Sequence, residues 1–200
     1  METNIILIGF MGAGKTEVGR LLAKNSGLNF IDTDFLIESC EGIGISEIFA
    51  QKGEDYFRGI EGKILRDIRK NKDDILNVVA KYINTTSDLE GLIISERNKP
   101  WIISTGGGMP VFNDNMKILK DIGFIIYLKA DSKVIYGRVQ NERHRPVLGK
   151  GGFSEKEIED KLGEREKFYG KANMTIYTEG LTVSGVSDEI EIFLWNKIKN

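Results

Sequence analysis

Short apolar runs alternate with amphipathic stretches along most of the chain. The runs predict five strands, at residues 4–9, 29–32, 101–104, 123–128 and 174–178. Runs without polar alternation suit strands that are buried on both faces, as in a parallel sheet. Helical spacing fills the intervals, at residues 16–24, 35–49 (one or two short helices), 53–70, 113–121, 132–141, 154–169 and 187–199. Strands that alternate with helices predict an α/β fold with right-handed crossovers.

The long interval 71–99 is the exception, because it holds two helical patterns and no strand. Apolar residues follow helical spacing between Ile75 and Ile83, and residues 87–90 form a capping box before a second apolar set. That second set consists of Leu89, Leu92 and Ile93. The pattern predicts a hairpin of two helices.

The charge balance and the scarcity of cysteine and histidine exclude several classes of protein. The 200 residues suit one domain, and 28 Lys and Arg against 30 Asp and Glu give a net charge of −2. Nucleic-acid-binding domains carry a basic excess, so no nucleic-acid partner is expected. Cys40 and His144 are single, which rules out an intrachain disulfide and a structural zinc site. Without a signal-peptide pattern or an apolar run of about 20 residues, we expect a cytoplasmic protein without a membrane partner.

Residues 9–16 carry the strongest chemical signal. They match G-x-x-x-x-G-K-[ST] between a predicted buried strand and a predicted helix, which is the context of a phosphate-binding loop. Glycines let backbone N–H groups approach phosphate oxygens, and the helix N-terminus adds about half a positive charge. Lys15 would reach the β- and γ-phosphates, and the Thr16 hydroxyl would bind Mg²⁺. The loop predicts nucleotide binding but leaves kinase, GTPase and ATPase open.

Two carboxylates and one charged pair come next along the chain. Asp32 could hold Mg²⁺ through a water and Asp34 could accept hydrogen bonds from substrate hydroxyls, although both could simply cap the helix that begins at Phe35. Arg58 and Glu61 are three residues apart and share a helix face. Glu61 could therefore hold the guanidinium while Arg58 binds a substrate carboxylate. A plain surface ion pair is the alternative.

Glycines and arginines in the second half of the chain complete the set. Gly106, Gly107 and Gly108 follow a predicted strand, where they would let a ligand approach the backbone or would form a simple turn. Arg143 and Arg145 open a glycine-rich loop from which an arginine could swing over the phosphates. Arg165 lies on the following predicted helix.

Taken in order, these motifs resemble the shikimate kinase family, P-loop kinases related to the nucleoside monophosphate kinases. The matching pieces are residues 9–16, 32–34, 53–58 with Glu61, 104–108, 145–148, and Arg165 with 168–169. The phosphate loop is shared by many families, whereas its combination with the triple glycine and the arginines is specific. The resemblance implies ATP-dependent phosphorylation of the shikimate 3-hydroxyl, in chorismate and aromatic amino acid biosynthesis.

The resemblance also implies the architecture and the role of each motif. The expected fold is a three-layer α/β/α kinase domain over residues 1–200 with a five-stranded parallel sheet, a shikimate-binding lobe at 34–62 and a lid at 143–153. The catalytic residues would be Lys15, Asp34 and Arg145. ATP would be bound by Gly12, Ala13, Gly14, Lys15, Thr16, Glu17, Arg138 and Arg145. Shikimate would be bound by Asp34, Arg58, Gly106, Gly107, Gly108 and Arg165. Mg²⁺ would be held by Thr16 and, through a water, by Asp32, with Ser104 close by.

Two features depart from the family pattern. Glu17 stands where the family usually has a second hydroxyl residue, and the interval 71–99 is longer than the usual link. Because the helix of Arg58 would start at the substrate side and run roughly 20 Å down, the insertion should lie at the amino end of the sheet, away from the chemistry. A monomer is expected, with a dimer contact through 71–99 as the alternative.

Two rival functions also fit the sequence. One is a P-loop kinase for gluconate or for a nucleoside monophosphate, and the other is a nucleotide-binding module without catalysis. Two arginines and three glycines favour a compact carboxylated acceptor over a nucleotide. The combination of Lys15, Asp34 and Arg145 favours an active enzyme.

Overall fold

A parallel sheet of five strands forms the centre of the computed structural model, which describes residues 3–84, 91–140 and 154–199. The strands are β1 (Asn4–Ile8), β2 (Asn29–Asp32), β3 (Trp101–Ser104), β4 (Gly123–Lys129) and β5 (Met174–Tyr177). Their order across the sheet is β2-β3-β1-β4-β5, and every neighbouring pair is parallel. The predicted α/β fold with a five-stranded parallel sheet is confirmed.

Helices cover both faces of the sheet. They are α1 (Lys15–Ser26), α2 (Thr33–Glu41), α3 (Ile45–Lys52), α4 (Glu54–Lys70), α5 (Ile75–Tyr82), α6 (Asn115–Ile122), α7 (Ser132–Gln140), α8 (Glu155–Tyr169) and α9 (Val183–Lys199). In β1, Ile5 and Leu7 pack towards α1 and α9, whereas Ile6 and Ile8 pack towards α2, α4 and α6. Successive side chains of the strand point to opposite faces of the sheet, and helices cover both faces, which gives three layers. None of the helices in the described residues is long and apolar enough to cross a membrane.

The strand order explains how separate motifs come together. Neighbouring strands β2, β3 and β1 end at Asp32, Ser104 and Ile8, and Asp32 is directly in register with Ser104. The chain leaves all three strands at the same edge of the sheet, because parallel strands share their carboxyl ends. The two aspartates, the triple glycine and the phosphate loop therefore meet at one place.

The predicted hairpin in the insertion is wrong in its second half. Helix α5 forms as expected, but Ile93 pairs with Phe30 as an antiparallel β-bridge, with backbone N–O distances of 2.8 and 3.2 Å. Sequence periodicity could not reveal this, because Phe30 lies on an edge strand whose free backbone groups compete for a partner. The proposed capping box at 87–90 and Leu89 lie outside the described residues.

The expected position of the insertion is only partly right. Asn29, the first residue of β2, bonds the backbone of Ser95, Glu96 and Lys99, which places these residues at the amino end of the sheet. Gly91, however, lies against the ring of Phe35, where an added Cβ would be 2.4 Å from three ring atoms. Because Phe35 follows Asp34 in the chain, the described residues 91–99 extend along the outer edge of β2 from its amino end to its carboxyl end.

Helix α9 also begins earlier than predicted, at Val183 rather than at residue 187. The Thr182 hydroxyl accepts a hydrogen bond from the Gly185 backbone N–H at 3.1 Å and so caps the helix. Gly185 interrupts the apolar pattern, and for that reason the first turn was not apparent in the sequence.

Asp67 of α4 holds the first helix of the insertion in place. It accepts hydrogen bonds from Lys81 Nζ at 2.5 Å and from the Tyr82 hydroxyl at 2.7 Å, both on α5. The Lys81 ammonium, followed by the Tyr82 hydroxyl, holds the pKa of Asp67 below its ordinary value of 3.8, against the opposing effect of burial. This carboxylate therefore stabilises the fold above about pH 4, and the contribution disappears as the pH falls through the lowered pKa.

Replacing Asp67 with asparagine should lower the free energy of unfolding by about 1 kcal/mol at pH 7, a value kept small because Lys81 is exposed. Urea denaturation of both proteins between pH 7 and pH 3 should show the difference shrinking below about pH 4. A difference that stays constant over this range would contradict the role given to the ionised carboxylate.

Candidate active site

The phosphate loop connects β1 to α1 through glycines in unusual backbone conformations. Gly9, Gly12 and Gly14 have φ values of 147°, 74° and 87°, which are rare for residues with a side chain. At Gly9 a Cβ would also lie 2.5 Å from the carbonyl oxygen of Leu128. The loop ends at the N-terminus of the 12-residue helix α1, which provides an anion site.

Lys15 places a cation inside this loop. Its side chain is almost completely buried, and its Nζ donates to the Phe10 carbonyl oxygen at 2.9 Å. A buried ammonium group requires such partners. The interaction keeps the charge beside the backbone that would surround a phosphate.

A cavity of about 430 Å³ opens beside the loop on the side of α7 and α9. Gly12, Ala13, Gly14, Lys15, Thr16 and Glu17 line one wall, together with Arg138. Arg138 Nη1 donates to the Gly12 carbonyl oxygen at 3.0 Å, so this predicted residue does lie at the phosphate loop. Glu17 is solvent-exposed.

The opposite wall of the cavity was missed by sequence reasoning. It is formed by Thr178, Leu181, Thr182, Val183 and Val186, from the turn after β5 and the start of α9. This turn follows the carboxyl end of a predicted parallel strand and contains Gly180, which has φ 73°. A glycine directly after a strand is the signal that also located the phosphate loop and the triple glycine.

The residues expected at the metal site meet at one carboxylate oxygen of Asp32. Asp32 Oδ2 accepts hydrogen bonds from the hydroxyls of Thr16 at 2.6 Å and Ser104 at 2.8 Å. Its other oxygen, Oδ1, accepts a hydrogen bond from the Asp34 backbone N–H at 2.9 Å and caps α2. Asp32 therefore also has the helix-capping role that the sequence left open. In the described ranges no group of three or more His, Cys, Asp or Glu could hold a metal. One carboxylate and two hydroxyls suit Mg²⁺ that is bound mainly through nucleotide phosphates.

Gly107 brings the triple-glycine loop against the phosphate loop. A Cβ on Gly107 would lie 3.2 Å from the Met11 backbone N and 3.3 Å from the Gly9 carbonyl oxygen. The loop is tied to β2 as well, because the Gly106 N–H donates to the Thr33 hydroxyl at 3.0 Å. The alternative of a simple turn does not account for this close backbone packing.

The other two glycines lie against the predicted substrate-binding side chains. A Cβ on Gly106 would be 2.4 Å from Asp34 Oδ1 and 3.0 Å from Glu61 Oε1. A Cβ on Gly108 would be 2.6, 2.8 and 2.9 Å from Nη1, Nη2 and Cζ of Arg58. The absence of side chains here therefore opens the space into which Asp34, Glu61 and Arg58 point.

Arg58 and Glu61 form a buried pair and not a surface ion pair. Glu61 is 1% exposed, and its Oε2 accepts from Arg58 Nη1 at 2.5 Å. Burial raises the pKa of Glu61, and the neighbouring Arg58 guanidinium opposes that shift. On another edge of the guanidinium, Glu54 Oε1 accepts from Nε at 3.1 Å and from Nη2 at 2.9 Å.

Arg165 and Tyr169 of α8 both donate hydrogen bonds to the triple-glycine loop. The Tyr169 hydroxyl donates to the Gly107 carbonyl oxygen at 2.6 Å, and Arg165 Nη1 donates to the same oxygen at 3.4 Å. Burial raises the pKa of Tyr169, so its hydroxyl remains a donor at neutral pH. The Arg165 guanidinium also lies over the ring of Phe10 in the phosphate loop, 4.9 Å from its centroid. The sequence pattern did not show that Tyr169 fixes this peptide, although the residue stands one turn after Arg165.

The predicted lid at 143–153, with Arg143 and Arg145, lies outside the described residues. Lys15, Asp34, Arg58, Gly107 and Arg165 all lie around the phosphate and triple-glycine loops.

The family model for shikimate kinase matches residues 11–81 and 88–194 of the chain. This chain belongs to the shikimate kinase family. It is 38% identical to the shikimate kinase of Thermodesulfovibrio yellowstonii over 94% of this chain and 92% of the relative. The identity to the shikimate kinase of Geobacter metallireducens is 35%, over 96% and 91% of the two chains.

Among solved structures, a shikimate kinase from Acinetobacter baumannii in complex with shikimate superposes with a TM-score of 0.77. It is 30% identical, and the match covers 98% of this chain and 94% of the other. A gluconokinase from Sinorhizobium meliloti, 14% identical with a TM-score of 0.54, covers 94% and 89% of the two chains and shares the fold alone. The match to the shikimate kinase family model is interrupted between residues 81 and 88, inside the insertion.

Proposed function

We propose that this protein transfers the γ-phosphoryl group of ATP to the 3-hydroxyl of shikimate. The observation that supports this most is the triple-glycine loop, which packs on the phosphate loop through Gly107 and on the Arg58 guanidinium through Gly108. It joins an anion site for a nucleotide to a buried arginine that can bind a carboxylate. An acceptor that is small, carboxylated and hydroxylated suits this arrangement.

In the proposed complex, Arg58 and Arg165 hold the carboxylate side of shikimate together with the Gly107 N–H. Asp34 lies across Gly106 from Glu61 and accepts a hydrogen bond from an acceptor hydroxyl. This hydrogen bond orients the oxygen for in-line attack. The carboxylate can take the proton as the bond from this oxygen to the γ-phosphorus forms and the bond from the γ-phosphorus to the bridging oxygen breaks, releasing ADP. Phosphoryl transfer depends mainly on positioning and charge neutralisation, so Asp34 need not be a strong base.

On the nucleotide side, Lys15 stabilises the negative charge of the transferred group. We propose that Thr16 holds Mg²⁺ directly and Asp32 through a water, with Ser104 fixing the carboxylate. When bound, Mg²⁺ would neutralise part of the negative charge on the nucleotide phosphates. The cavity beside Arg138 would take the nucleoside, and Arg145 is expected to act on the same phosphoryl group as Lys15.

The cellular location and the oligomeric state predicted from the sequence stay predictions. We propose a cytoplasmic enzyme that works as a monomer. The alternative dimer would form through the insertion, whose described part includes the exposed residues 94–99.

The proposed activity is tested by ADP release in a coupled assay with shikimate, gluconate and a nucleoside monophosphate as acceptors. Shikimate should support turnover at least about 100-fold faster than the other two at equal concentration. Phosphorus NMR of the product should show a single phosphate monoester on the 3-hydroxyl. Preferred turnover of gluconate or the nucleotide, or ADP release that is independent of any acceptor, would contradict the proposal.

A further inference from the structure

We infer that Phe112 is a positioning residue for Arg58 and through it sets the affinity for the carboxylate of the acceptor. The inference rests on the proposed function, because it assumes that Arg58 binds this carboxylate. The centroid of the Phe112 ring lies 4.1 Å from Arg58 Cζ. Two other rings, of Phe57 and Phe49, lie at 5.1 and 6.0 Å. All three rings lie within the about 6 Å over which a cation and an aromatic face attract each other, and Phe112 is the nearest of them.

The Arg58 guanidinium is held firmly on the edge that faces the buried Glu61 and less firmly on the edge that faces Glu54. Three of its five N–H groups donate to Glu54 and Glu61, which leaves one on each Nη for a ligand. Glu54 is half-exposed, with 54% of its side chain accessible, so water competes for its bonds. A ring over the face of the guanidinium adds a restraint that carboxylates at its edges do not supply.

The backbone around Phe112 is shaped to place the ring. Phe112 follows the 3₁₀ turn Met109–Val111, directly after the triple glycine. The next two residues, Asn113 and Asp114, have φ values of 52° and 58° and are the only non-glycine residues with positive φ in the described ranges. Asn and Asp adopt this left-handed conformation more readily than other residues with a side chain, so the two residues give the turn after Phe112 a defined shape.

A buried asparagine holds this turn in place. Asn115 is 1% exposed, and its Nδ2 donates to the Met109 carbonyl oxygen at 3.0 Å. The turn, the ring and the triple glycine are thus connected through a few residues of backbone. Movement of the glycine loop would carry Phe112 with it.

Residue 112 could contact Arg58 as an apolar surface alone or as an aromatic ring that attracts the cation, and substitutions distinguish these two roles. Leucine preserves most of the apolar contact but has no π-face, whereas tyrosine preserves the ring. If Phe112 acts through Arg58, its effect must also depend on the guanidinium. A double-mutant cycle with Arg58 measures this dependence.

The test uses Phe112→Leu and Phe112→Tyr, each in the wild-type and in the Arg58→Met background. Coupled ADP release gives kcat and KM for both substrates, and kcat/KM comes from initial slopes at low shikimate where affinity is weak. We expect Phe112→Leu to raise the KM for shikimate about 3- to 20-fold, with kcat and the KM for ATP within twofold of wild type. Phe112→Tyr should stay within twofold throughout. In the Arg58→Met background, Phe112→Leu should cause no further loss in kcat/KM.

Three outcomes would overturn the inference and leave the proposed function intact. They are an unchanged KM for shikimate in Phe112→Leu, an equal loss in Phe112→Tyr, or a full additional loss in the Arg58→Met background. If Arg58→Met alone left kcat/KM for shikimate intact, both the inference and the assignment of the acceptor site would be wrong. An unchanged KM for ATP, together with thermal unfolding, separates each result from misfolding. If Phe112→Leu does not fold, Phe112→Met serves the same purpose.

Discussion

Replacing Lys15 with alanine should lower kcat by at least about 10³-fold while the affinity for shikimate stays within twofold. Lys15 is almost completely buried at the N-terminus of α1, with its Nζ held against the phosphate loop. A preorganised charge in such a place interacts most strongly with the charge that develops during phosphoryl transfer, and single groups of this kind are worth about 10²–10⁵ in rate. The proposed acceptor site, in contrast, is formed mainly by α2, α4, α8 and the triple-glycine loop.

The measurement combines coupled ADP release at saturating substrates with calorimetric titration of shikimate. Lys24→Ala is the matched control, because Lys24 is an exposed residue in the last turn of the same helix. This control should behave as wild type in both experiments. Turnover of Lys15→Ala within tenfold of wild type would mean that the ammonium group does not act on the reacting phosphate.

Replacing Gly108 with alanine should weaken shikimate binding about 10- to 150-fold without preventing folding. The added methyl carbon would lie 2.6–2.9 Å from Nη1, Nη2 and Cζ of Arg58, too close for both groups to keep their places. The backbone at Gly108 has φ −84° and ψ −22°, which alanine adopts freely, so the conflict is confined to the side chain. The guanidinium ends a flexible side chain and can move away, at the cost of a charge-assisted hydrogen bond to the acceptor.

Gly59→Ala provides the matched control for this substitution. Gly59 stands next to Arg58 on α4, and a Cβ there would meet no atom within 4 Å. Its KM for shikimate should not change, and α4 should become slightly more stable because alanine favours a helix. Normal shikimate affinity in Gly108→Ala, or an equal loss in Gly59→Ala, would show that the Arg58 guanidinium does not depend on the open space at Gly108.

Local patterns predicted the parts of the site that depend on residues close in sequence. The phosphate loop was apparent from its glycines between a strand and a helix, and the pairing of Arg58 with Glu61 followed from their spacing on α4. The burial of that pair could not be predicted, because it depends on tertiary contacts with Gly106 and Gly108 in the loop after β3. The stacking of Phe112 on Arg58 joins two distant segments and left no periodic signal.

The insertion shows the same limit for the fold. Its first helix was predicted from an apolar stripe. Ile93, in contrast, pairs with the edge strand β2, where the backbone groups of Phe30 lack a strand neighbour on that side. A single β-bridge has no characteristic length or alternation. Close packing of Gly91 on Phe35 likewise depends on tertiary contacts that no local pattern reports.

We propose that Arg58, placed by the triple-glycine loop, recognises the carboxylate of shikimate. Calorimetric titration of shikimate and of its methyl ester into the wild-type protein and into Arg58→Met tests it directly. The wild-type protein should bind the acid at least about tenfold more tightly than the ester, as the loss of a charge-assisted hydrogen bond predicts. In Arg58→Met this preference should shrink by about tenfold, with Arg165 supplying what remains. Equal binding of acid and ester by the wild-type protein, or an undiminished preference in Arg58→Met, would contradict this role of Arg58.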